Sequence, residues 1–156
     1  MQVCSNGDSL LINAESVKTK DPEKLLTCLK WFESDECKRT MYKEGLEIPY
    51  DWSIVDDFNN NEGKKEGIEI EYKVIEGDSF AQSLELALKN GQGPDMMPST
   101  LGIKNMVQNG YAAALEDIPG GQEFVDKYKG KLVKFKNTYK GKTYSVPSAV
   151  TTRRFK

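Results

Sequence analysis

The stretch IEIEYKVIEGDSFAQSLELALKNGQGPDMM, residues 68–97, decides the fold. Ile68, Ile70, Tyr72 and Val74 alternate with Glu69, Glu71 and Lys73. Period-two alternation predicts a strand with one covered face. Asp78 or Ser79 then caps a helix whose inner stripe is Phe80, Leu84, Ala87 and Leu88. Gly91 and Gly93 end that helix, and Pro94-Asp95-Met96-Met97 reads as a short strand entering a loop at Pro98-Ser99-Thr100.

Working outward, the same alternation of element types continues in both directions. Upstream, Ser9 to Asn13 is an apolar run that reads as a buried strand. Asp21-Pro22 starts a helix, with Asp at the cap and Pro at the first helical position. Its apolar face is Leu25, Leu26, Leu29 and Phe32. Ser34-Asp35-Glu36 caps a second helix that includes Met41 and Tyr42 and stops at Gly45, so residues 21–45 form a helical hairpin. Ile48-Pro49-Tyr50 breaks the pattern, Trp52, Ile54, Val55 and Phe58 predict a further helix, and residues 59–65 read as a polar loop. Downstream, residues 102–109 are helical up to Gly110, and residues 122–136 are helical around Gly130. Tyr139 to Tyr144 is a tight turn between short strands, and Ser145 to Thr152 is extended. Strands alternating with helices predict an α/β fold with a mainly parallel sheet flanked by helices. Ligands in such sheets sit outside the carboxyl ends of the strands, which singles out Ser99 and Thr100 and the run around Thr151 and Thr152.

Composition narrows the chemistry. The 156 residues suit one domain, with 38% hydrophobic and 29% charged residues. The net charge of −2 mixes both signs along the chain, which gives no footprint for nucleic acid. There is no histidine. Triads built on histidine are excluded, and the commonest metal ligand and pH switch are missing. Cys4, Cys28 and Cys37 form no CxxC pair, and an odd count makes no disulfide framework; they read as buried or idle thiols. Neither metal nor cofactor is expected. No apolar run reaches the ~18 residues of a membrane span. The start, Met1 to Ser5, lacks the charged and apolar regions of an export signal or lipid-attachment segment.

The pieces also resemble a known family. Residues 66–155 are similar to the amino-terminal portion of family 1 extracellular solute-binding proteins, the capture subunits of ABC-type sugar importers. The resemblance is carried by Ile68 to Tyr72, Ala87 to Asp95, Asn109 to Asp117, Gly141 to Pro147, and Ala149 to Thr152. Residues 9–50 resemble a segment found late in that family: Ile12 to Ser16, Asp21-Pro22-Glu23, Leu29 to Phe32, Ser34-Asp35-Glu36, Gly45 and Ile48-Pro49. The two segments stand in reversed order, joined through residues 51–65. The resemblance implies one lobe of a type II periplasmic-binding-protein-like fold, spanning 1–156, in permuted order. It also implies that the opposite lobe and the family's first strand have no counterpart here, leaving strand edges exposed to pairing with another chain. Arg153 and Arg154 stand where the family is usually apolar.

The resemblance implies an extracellular, membrane-associated binder of a small solute, a carbohydrate, that is not an enzyme and works with an ABC permease. Sugar capture needs polar groups for hydroxyls and an aromatic face for the C–H side of the ring. Ser99, Thr100, Thr151 and Thr152 supply the first and Tyr144 the second. Plainer roles stand beside these: Ser99 and Thr100 as helix caps, Thr151 and Thr152 as strand residues, Tyr144 as packing. Glu116-Asp117 and Asp56-Asp57 are the densest carboxylate pairs and read as solvated surface or caps rather than a hydrolase's acid and base. Two further readings remain: a recombined product without a ligand, and an interaction module that pairs through its sheet edges.

Overall fold

Asp21 sits in extended backbone, and its carboxylate accepts from the N–H groups of Glu23 and Lys24. With Pro22 at the first helical position, this starts helix α2, Pro22–Phe32, as the sequence predicts. One turn upstream is a helix that the apolar pattern does not announce, α1, Ala14–Thr19. Its cap is Asn13, whose Oδ1 accepts from Glu15 N–H at 3.0 Å. The computed structural model describes residues 1–3, 10–34, 37, 52–72 and 79–147. The second arm of the expected helical hairpin lies outside these residues apart from Cys37, whose N–H donates to Ser34 Oγ at 3.2 Å.

Among the described residues the central sheet has four strands: β1 (Gln2–Val3), β2 (Leu10–Ile12), β3 (Glu71–Tyr72) and β4 (Met96–Pro98). Their order is β2-β4-β1-β3. β1 runs parallel to β3 and to β4, while β2 runs antiparallel to β4. Gln2–Val3 therefore occupies the interior position for which the sequence offers no evident strand, and β3 and β4 both have a neighbour. The outer edge of β2 is covered as well: Ala113 N–H donates to Ile12 O at 2.9 Å and Ala14 N–H to Tyr111 O at 2.8 Å.

Both faces of the sheet are buried, and strand alternation divides the core in two. Leu10 and Ile12 of β2 and Met96 of β4 face a cluster containing Leu25, Leu29 and Phe32 of α2 and Phe58 of helix α3, Trp52–Asn60. Leu11 and Met97 face the opposite cluster. That cluster holds Leu84 and Leu88 of α5 (Phe80–Lys89), Ile103 and Met106 of α6 (Ile103–Gln108), and Tyr139 and Tyr144. The thiols of Cys28 and Cys37 are buried on the first side, and burial pushes the Cys28 thiol far above its ordinary pKa.

Three expectations need correction. Residues 68–70 keep the predicted alternation, with Ile68 and Ile70 buried and Glu69 exposed, but they are not strand. Their backbone is satisfied elsewhere: Asn59 bonds both the N–H and the carbonyl of Ile70 at 2.7 and 2.9 Å, and Ile68 N–H reaches Gly63 O at 2.8 Å. The polar stretch at 59–65 is largely helical, completing α3 and forming α4, Glu62–Glu66. Asn61 has no side-chain cap bond there; Gly67, at a φ of 65°, closes α4, and Gly63 packs close against Phe58 and Ile68. The long helix expected at 122–136 is only Gly121–Asp126, α7, because the chain turns at 127–131 and Gly130 adopts a φ of 82°. The predicted hairpin does form, from β5 (Thr138–Tyr139) and β6 (Lys142–Thr143). Lys140 and Gly141 both have positive φ, the turn geometry that suits strand twist.

Candidate functional site

Because β1, β3 and β4 are mutually parallel, Val3, Tyr72 and Pro98 end at the same side of the sheet. The chain leaves β4 there through Ser99, Thr100 and Leu101. Ser99 O accepts from Gly102 N–H at 2.8 Å, which closes a turn and sets up α6. The cap of α6 is Gly102, at a φ of 77°, with no side-chain cap bond. The cap position is thus Gly102 rather than Ser99 or Thr100. Ser99 is half-buried and Thr100 exposed.

Tyr144 belongs to the apolar cluster beneath this loop, which also contains Met97 and has Leu101 packed against it. Tyr144 is only 7% exposed. Burial raises its phenol above the ordinary tyrosine value, against the opposing charge of Lys142. Tyr144 thus lies in the cluster against which Leu101, the residue after Thr100, packs. Thr151 and Thr152 lie outside the described residues.

Behind the loop, Asp95 ties three elements together, a part that the Pro-Asp dipeptide alone does not announce. Its Oδ2 accepts from Gln2 N–H at 2.6 Å and from Lys20 Nζ at 2.7 Å, and its Oδ1 from Ser16 Oγ at 2.6 Å. Burial pushes the Asp95 carboxyl up, but the bonds from Lys20, Ser16 and Gln2 outweigh it and hold the group below the usual carboxylate value. Asn13 completes the joint, donating from its side chain to Pro94 O at 3.0 Å. This network anchors β1, α1 and the entry to β4.

The Glu116-Asp117 pair is also structural. Both Glu116 oxygens accept from Thr143 N–H at 2.9 and 3.0 Å, and Asp117 pairs with Lys142 at 2.7 Å. The pair clamps the 3₁₀ turn Leu115–Asp117 to β6. Nothing about it brings an acid and a base together across a pocket. A cavity of about 370 Å³ lies at the other end of the sheet, between Met1, Val55, Asp56, Asn59 and Glu69 to Glu71. It is at the amino ends of β1 and β3, away from Ser99.

No helix among the described residues is long and apolar enough to cross a membrane. No curated protein and no solved structure matches the chain. The model of the family described as bacterial extracellular solute-binding protein matches residues 45–154. That match takes in α3, residues 51–65, the β3–α5–β4 unit, the Ser99 loop and the clamped hairpin. Spanning most of the sequence, it shows that this chain belongs to the bacterial extracellular solute-binding proteins.

Proposed function

We propose that the chain acts as one solute-capture lobe working with an ABC permease, that its solute is a carbohydrate, and that it binds rather than converts it. The observation that carries this reading is the Ser99 loop. Within a solute-binding family match, it stands at the shared carboxyl end of the parallel strands, where α/β sheets place ligands. Ser99 and Thr100 offer hydroxyls to a sugar, Tyr144 backs the wall, and the family resemblance adds the hydroxyls of Thr151 and Thr152. The one-lobe reading over 1–156, with the late family segment ahead of the early one, is supported by a shared interior. Leu10, Ile12, Leu25 and Leu29 pack in one cluster with Phe58, Ile70, Met96 and Val146.

Calorimetric titration with a panel of mono- and oligosaccharides tests the reading. Saturable heat with at least one sugar is expected, and it should weaken when Ser99 and Thr100 are both replaced by alanine. Each lost hydrogen bond to a neutral group is worth about 1 kcal/mol, a several-fold loss in affinity. Silence across the panel favours the reading in which the lobe has no ligand of its own. Self-association through the β2 edge finds less support, because residues 111–113 already cover it. Concentration-dependent sedimentation would revive it.

A further inference from the structure

Residues 127–142 hold seven lysines and no aspartate or glutamate, while the rest of the chain carries fifteen basic and twenty-four acidic residues. All seven lysines are exposed. Lys142 pairs with Asp117, and the other six make no ion pair among the described residues. Two large apolar side chains stand among them: Val133 is 52% and Phe135 61% exposed.

Phe135 is not merely left outside. Its φ of 62° lies in the left-handed region, which disfavours every residue with a β-carbon except in small polar turns. The surrounding bonds impose that conformation. Phe135 N–H donates to Thr138 O at 2.9 Å, and the buried Asn137 accepts from Val133 N–H at 3.1 Å and donates to Ser145 Oγ at 3.0 Å. The Phe135 ring centre lies 6.3 Å from that of the buried Tyr139. Lys134 Nζ is 5.2 Å from the Phe135 ring centre and Lys140 Nζ 5.7 Å from that of Tyr139. The result is an apolar tip, braced from behind and ringed by ammonium groups.

We propose that this tip is a docking site for an anionic phospholipid surface. Phe135 and Val133 enter the boundary between headgroups and acyl chains, and the lysines meet the lipid phosphodiesters. Lysines alone would fit any polyanion. An aliphatic and an aromatic side chain held outward beside them gain free energy where apolar surface can be buried, as at a bilayer interface. The acid-rich remainder of the chain is repelled by the same surface, so the contact is oriented.

Flotation of the full chain with phosphatidylcholine vesicles, with and without phosphatidylglycerol, tests this. Binding is expected only with phosphatidylglycerol, and it should fall as salt rises. Each lysine near an anionic surface is worth about fivefold in partitioning, so replacing Lys131, Lys134 and Lys136 together by glutamine should cut binding at least about tenfold. Phe135→Gly should weaken vesicle binding yet raise the melting temperature, because glycine takes a positive φ without strain. Opposite signs in one variant separate a docking residue from a structural one. Equal binding to neutral vesicles, or no vesicle binding, overturns the proposal. So does heparin binding without vesicle binding, which would assign the lysines to a soluble polyanion. Heat on sugar titration should be unchanged in Phe135→Gly, so the two proposals stand or fall separately.

Discussion

Asp95 is 4% exposed and receives three short hydrogen bonds, one from β1 and two from α1 and its C-terminal cap. Asparagine in its place would turn an amide N–H₂ toward donors that need an acceptor. Hydrogen bonds to charged groups contribute roughly 1.5–3 kcal/mol, so Asp95→Asn should cost about 2 kcal/mol in urea unfolding at neutral pH. The pH dependence has a fixed sign. The folded Asp95 has a lower pKa than the unfolded group, so its contribution is complete above the unfolded value of ~3.9. It is lost as pH falls through the folded value. The gap between wild type and Asp95→Asn should therefore shrink on acidification below about pH 4. A gap that persists unchanged in strong acid would show that the carboxylate is not the source. The dipeptide Pro94-Asp95 was legible as a strand entry, but its partners were not. They stand 75 to 93 residues away along the chain.

Elements that carry their own caps were legible: α2 with Asp21-Pro22, α5 with Ser79, and the β5–β6 turn with Gly141. Elements defined by close backbone approach were not. Gly121 opens α7 where a β-carbon would collide with the Leu115 carbonyl oxygen. No flexible side chain can yield there, because the obstacle is main chain. Gly121→Ala should destabilise the protein by about 3–5 kcal/mol or displace the Glu116 clamp, seen as a large drop in melting temperature. A drop of only a degree or two would mean that the 3₁₀ turn and α7 are not in contact in solution. Residues 68–70 make the complementary point. Their alternating side chains look like strand, yet the Asn59 side chain takes the Ile70 backbone bonds that a neighbouring strand would have taken.

At the scale of the molecule, two apolar clusters cover the two faces of one sheet, and β2 and β4 contribute to both. The early and late parts of the chain therefore share an interior and should unfold together. Trp31 packs with its ring centre 4.7 Å from that of Phe58, so its fluorescence reports the junction between α2 and α3. Urea transitions followed by tryptophan fluorescence and by far-UV circular dichroism should coincide. Leu29→Ala, at a fully buried position, should shift both by the same 2–5 kcal/mol. Two separated transitions would mean that residues 10–34 form a unit detached from the later sheet.

The sequence by itself determined the capped helices α2 and α5, the β5–β6 turn, the buried faces of most strands and helices, and the family. These rest on local periodicity, capping chemistry and motifs of a few residues, all of which act within one or two turns of chain. Only the tertiary structure decided that Gln2–Val3 fills the middle of the sheet, that Asp95 joins three segments, and that Phe135 is held outward among lysines. A two-residue strand has no periodicity to read, and a hydrogen bond between distant residues leaves no mark on either neighbourhood. A strained φ is imposed by the surrounding bonds rather than by the residue that adopts it.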